Sequence, residues 1–166
     1  MLLAQSLLKE LIHEAGSTRK LLEAMSDDVL SYKPAAQSWT MAQLACHIAE
    51  TYHWYHAVIH ANFLDFNDYT YDKGDGNTVA GILAKFEENL KVAIDCMEGV
   101  KDDSLFAKTW TLKMGEVTLS EMPRRVVVRS FLMNHLYHHR GQLSVYLRAS
   151  GRKVPGLYGP SSDEQG

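Results

Sequence analysis

His135 and His139 stand four residues apart in the string Asn134-His135-Leu136-Tyr137-His138-His139-Arg140. On a helix that spacing leaves the two side chains about 40° apart on one face, where two imidazoles can share a metal ion. His138 lies about 60° from His135 and about 100° from His139, so it is turned away from that centre. His56 and His60 repeat the same spacing, so spacing alone decides nothing, and the flanking residues must. Phe131, Leu132, Leu136, Leu143 and Val145 surround the first pair, which therefore borders a core and needs polar partners there. Ala57, Ala61 and Asn62 beside the second pair suit a surface.

His47 lies in the small-residue stretch Leu44-Ala45-Cys46-His47-Ile48-Ala49, about 180° around its helix from His56, so those two cannot serve one site. Two readings stand side by side. In one, His47 faces His135 and His139 across a helix bundle, and three neutral imidazoles surround a divalent metal that keeps an open position, the arrangement of a catalytic centre. In the other, the three are core histidines hydrogen-bonded to hydroxyls, to Gln142 or to Glu50. Cys46 next to His47 suggests a Cys-His dyad, but adjacent helical residues point about 100° apart, and a small buried thiol is the better reading. Trp39, Tyr52, Trp54 and Tyr55 read as core or dimer contact before substrate platform.

The elements that must position these side chains follow from the apolar pattern. Leu3, Leu7, Leu8, Leu11, Ile12, Ala15, Leu21, Leu22 and Met25 form a helical stripe to about residue 25, with Gly16 inside it. Pro34 breaks the pattern, and a loop runs to about Trp39. Thr40 or Ser38 can cap a second helix that reaches about Phe63. Residues 65–77, rich in Asp and Gly, make the main loop. Asn77 or Thr78 starts a third helix ending near Gly99. Residues 101–119 hold either a short hairpin or an extended crossover. Ser120-Glu121-Met122-Pro123 reads as the start of a fourth helix that continues to Ser150. The expected class is therefore all-α, a four-helix bundle over residues 1–154 with a long crossover before the last helix, followed by a tail over 155–166. Such bundles build their sites between facing helices.

With 166 residues, 46% of them hydrophobic, the chain can bury one core without staples. A formal charge of -3 removes the broad electrostatic drive of a nucleic-acid binder. No apolar run approaches the ~20 residues of a membrane span, and no basic-then-apolar leader pattern occurs. Two cysteines outside any C-x-x-C pair fit a reducing cytoplasm. Phosphate-cradling loops, a Ser-centred elbow and nucleotide fingerprints are missing, which argues against kinases, serine hydrolases and dinucleotide enzymes.

The string Asn134-His135-Leu136-Tyr137-His138-His139-Arg140-Gly141-Gln142-Leu143, followed by Tyr146-Leu147-Arg148 and Gly151, resembles the signature of the DinB-like superfamily, the damage-inducible or YfiT-like metal-binding bundles. Upstream, Ser38-Trp39-Thr40-Met41 leading through Leu44 to His47 resembles the same superfamily's Trp-Ser/Thr motif and helical histidine. The resemblance implies a bundle of up-down-down-up type, commonly a homodimer, with a divalent metal on His47, His135 and His139. Zinc and nickel both suit three imidazoles. It implies further a transferase that uses a low-molecular-weight thiol and acts on a small-molecule substrate, or else a metal-dependent hydrolase or a non-catalytic metal-binding stress protein. Glu50, one turn after His47, is a candidate to orient a ligand or act as a base. Arg124, Arg125 and Arg129 are candidates to attract the carboxylates of a thiol cofactor.

Overall fold

The stripe near the amino end forms helix α1 (Leu3–Glu23), continuous through Gly16. The computed structural model describes residues 2–164, so the last two residues of the expected tail, 165 and 166, lie outside the described residues. The first backbone N–H groups of α1 are satisfied from a distance: Leu3 and Ala4 donate to the carboxylate of Asp103 at 2.7 and 3.1 Å. Helix α2 (Met41–His60) starts with a reciprocal cap, the Gln43 N–H donating to Thr40 Oγ1 at 3.1 Å and the Thr40 N–H to Gln43 Oε1 at 2.8 Å. Thr78 caps helix α3 (Val79–Gly99) by accepting the Gly81 N–H at 3.0 Å.

The last helical rod has three parts. Helix α4 (Arg124–Val127) passes into a π-helical stretch (Val128–Asn134) and then into helix α5 (His135–Ala149). In the bundle α3 packs against α1 and α2, and α5 against α2 and α1. Their apolar faces meet in one core that includes Leu11, Leu21, Ile48, Phe86 and Leu143. A buried ion pair between Glu14 and Arg140 joins α1 to α5. Tyr158 adds its hydroxyl to Glu14 at 2.7 Å, which fastens the chain after Gly151 back onto the bundle. Among the described residues no helix is long and apolar enough to cross a membrane.

The all-α expectation is corrected by a three-stranded mixed sheet, β1 (Phe63–Asp65), β2 (Thr109–Met114) and β3 (Val117–Pro123), in that order. Strand β1 runs parallel to β2, with Phe63 opposite Thr111, and β3 runs antiparallel to it, with Trp110 opposite Met122. The cause lies in β2, where Trp110 and Leu112 point into the core and alternate with exposed or half-buried residues, the period of a half-buried strand. Gly115 opens the two-residue hairpin loop at φ 59°, a conformation that favours glycine. Both neighbouring helices are shortened by the sheet. Helix α2 ends at His60, short of Phe63, because residues 63–65 pair with β2. The fourth helix begins at Arg124 and not at Ser120, because Ser120 to Pro123 complete β3. Pro123 stands just before the helix with ψ 140°, outside its first turn.

Candidate metal centre

Helix α2 presents His47 and helix α5 presents His135 and His139 to the same point of the bundle. Their ring centroids are 5.1 Å (His47 to His135), 4.7 Å (His47 to His139) and 4.5 Å (His135 to His139) apart. One nitrogen of each lies within 4.8 Å of the others, and the Nε2 atoms of His47 and His135 are 3.3 Å apart. Two imidazole nitrogens bound tetrahedrally to one ion at about 2.05 Å would be separated by about 3.3 Å.

The second nitrogen of two of the rings is held from behind. Nδ1 of His47 meets Glu50 Oε2 at 3.1 Å, and Nδ1 of His139 meets Gln142 Oε1 at 2.7 Å. His135 opens α5 directly after the π-helical stretch, and its backbone N–H bonds to the Leu132 carbonyl. Two acceptors on the Nδ1–H groups of His47 and His139 hold these rings in the tautomer whose Nε2 lone pair is free to ligate. The 3.3 Å between the His47 and His135 Nε2 atoms matches the separation of two nitrogens on one ion, so the donor set fits a metal.

Burial lowers the pKa of His135, with the nearby His47 as a further cause, and lowers that of His139 to about 4, against the opposing effect of the hydrogen bond that His139 donates to Gln142. Both rings are therefore neutral at neutral pH, the form that ligates metals. Aromatic rings box the cluster. Trp39 stacks on His139 (6.0 Å, 22° between planes) and meets His47 edge-on, while Trp54 lies nearly parallel to Phe131 and stacks on His135 at 29°.

His47 and His135 open onto a cavity of about 570 Å³ walled by Trp39, Trp54, Phe66, Tyr69 and Phe131. Glu50, Gln43 and Lys73 complete its lining. The volume is that of a small-molecule site. Glu50 is at the cluster, engaged with His47 as an orienting carboxylate.

The three arginines lie elsewhere. Arg124 is buried and donates to the carbonyls of Val58 (2.9 Å), Ala61 (2.7 Å) and Thr109 (3.2 Å) and to Asn62 Oδ1 (2.9 Å), so its guanidinium closes the carboxyl end of α2. Arg129 forms a bidentate pair with Glu10, and Arg125 is exposed. None of the three lines the cavity. His56 and His60 are exposed and remote from the cluster, and His138 is exposed with its ring edge against His139. Cys46 is half-buried, and burial pushes its thiol up. Tyr52 and Tyr55 are core residues, the Tyr52 hydroxyl sharing a 2.8 Å hydrogen bond with Thr18, whereas Trp39 and Trp54 are cavity wall. Sequence reasoning missed Tyr69 and Lys73, which sit in a turn-rich segment with no periodicity to aim them. Gln142 was legible, three residues after His139 as Glu50 is after His47.

Residues 1–165 match the family model described as the DinB family. Two relatives come from Bacillus subtilis (strain 168), both named as uncharacterized proteins. YrdA is 27% identical over 158 residues, 95% of this chain and 89% of its own length. YjoA is 32% identical over 139 residues, 81% of this chain and 82% of its own. Two crystal structures share the fold. A DinB-like protein from Bacillus cereus ATCC 10987 superposes with a TM-score of 0.71 at 23% identity, over 93% of this chain and 97% of that one. The DinB-like protein YjoA from Bacillus subtilis gives 0.72 at 21% identity, over 92% and 97%.

Proposed function

The chain belongs to the DinB family, and from that membership and its converging imidazoles we propose that it is a divalent-metal-dependent transferase that uses a low-molecular-weight thiol. The observation that carries this reading is the cluster of three histidines with one nitrogen of each within 4.8 Å of the others, two of them opening onto one aromatic cavity. His47, His135 and His139 would hold the ion. A divalent metal with an open position acidifies a thiol or a water bound there.

The remaining chemistry belongs to the chain. Glu50 and Gln142 keep His47 and His139 in the ligating tautomer. Trp39, Trp54 and Phe131 exclude water and offer flat apolar walls to the organic part of a ligand. Lys73 is the one cation among the cavity-lining residues, and it supplies the carboxylate contact that the three arginines are not placed to make. Because the Glu50 carboxylate is committed to His47, a thiol that brings its own nucleophile suits the site better than a water that needs a free base.

Calorimetric titration of the zinc-loaded protein with 3-mercaptopropionate and with 3-hydroxypropionate tests the thiol reading. The thiol is expected to bind at least ~10-fold more tightly than its hydroxyl analogue, and only when metal is present. Equal binding of the two, or thiol binding undiminished in the metal-free protein, would overturn it.

A further inference from the structure

Next to the cavity at the histidines lies a second one, of about 330 Å³, between the later half of α2, strand β1 and the start of the α2–α3 connection. Trp54 and Tyr69 line both cavities. Phe66 and Phe131 line only the first, and Ala57, Ala61 and Thr70 only the second, so the two shared side chains stand as the wall between them. The wall is joined at its middle: the indole N–H of Trp54 donates to the Tyr69 hydroxyl at 2.9 Å.

Each half of the wall is braced from outside. Trp54 lies against Phe131 at 4.9 Å with 8° between planes, and edge-on to His47 at 5.4 Å. The Tyr69 ring is parallel to that of Tyr71, with centroids 6.4 Å apart and 7° between planes. The Tyr71 hydroxyl in turn accepts from Asn89 of α3 at 2.5 Å. Beyond the wall, Ala57 and Ala61, one turn apart on α2, and Leu64 of β1 give the second cavity an apolar surface on which an alkyl chain would be removed from water.

We infer that Tyr69 sets how long a ligand the cavity at the histidines accepts. Its ring, held on Trp54, closes off the second cavity and makes the site selective for compact ligands over those with an extended alkyl arm. The inference rests on the first cavity being a ligand site, as proposed above, and not on the thiol.

Titration of the zinc-loaded protein with hexanoate and dodecanoate tests it, since either the metal or Lys73 can anchor a carboxylate. In Tyr69→Ala the preference for dodecanoate over hexanoate is expected to rise at least ~10-fold above that of the wild type, about the gain from burying two further methylenes. Tyr69→Leu, which keeps an apolar side chain in the connection and removes the part that reaches Trp54, is expected to shift the preference in the same direction. Adding Ala61→Phe, at an exposed position that borders only the second cavity, is expected to return the preference to the wild-type value. An unchanged preference in both Tyr69 variants, or a gain that survives Ala61→Phe, would overturn the inference. Neither acid carries a thiol, so equal affinity for 3-mercaptopropionate and 3-hydroxypropionate would sink the thiol reading and leave this comparison to decide the role of Tyr69.

Discussion

At the scale of single residues, the centre is legible from histidine spacing and flanks, while its refinement is not. The i, i+4 pair His135 and His139 and the lone His47 on a small-residue face are the three that converge, because the helix period alone fixes their directions. Depressed pKa values have a consequence for the metal-free protein. His139 titrates near pH 4 in the fold and His135 is lowered too, against about 6.5 in an unfolded chain. Between those values the unfolded state binds more protons, so stability falls as pH drops from about 6.5 toward 4 and is insensitive to these groups above that window. The slope is at most about 1.4 kcal/mol per pH unit for each histidine. Urea unfolding of metal-free protein at stepped pH should show it, with a shallower slope in His139→Gln. An identical slope in the variant would contradict the assignment. Tyr69 and Lys73 stayed invisible because turn-forming residues carry no period from which a side chain's direction can be read.

At the scale of elements, the four long helices were legible and the sheet was not. Apolar residues recurring at three and four define α1, α2 and α3 almost to their ends, and Thr40 and Thr78 cap where the sequence places them. The strands are short, and β1 has only three residues, Phe63–Asp65, whose partner lies far along the chain in β2. Such pairing leaves no local signal. Arg124 shows how an apparent functional charge becomes structural: the residue that starts α4 also closes α2, and so fixes the rod that carries His135. Arg124→Met should therefore cost about 3 kcal/mol in urea unfolding, the penalty of leaving buried carbonyls without a donor. Arg125→Met, on the exposed side, should stay within about 0.5 kcal/mol. Equal effects of the two would remove the capping role. The π-helical stretch Val128–Asn134 had no sequence signal either. It hands Phe131 to the cavity wall and leads directly into His135, in keeping with the tendency of π segments to lie at functional sites.

At the scale of the molecule, the bundle serves to hold two helices, α2 and α5, in register at one point, while the α2–α3 connection contributes Phe66, Tyr69 and Lys73 to the cavity around it. The buried Glu14–Arg140 pair fixes α5 to α1 one residue beyond His139, and Tyr158 brings the chain after Gly151 onto the same pair. Two DinB-like crystal structures share this fold at 21% and 23% identity, as expected when helix packing tolerates extensive sequence change. The central claim is that the three histidines bind one metal ion, and the most direct measurement is elemental mass spectrometry of untagged protein purified without chelators. The account predicts about one divalent metal per chain in the native protein, lost in both His47→Ala and His135→Ala while helix content is kept. A native protein without metal after growth in metal-replete medium, or variants that retain it, would contradict the claim.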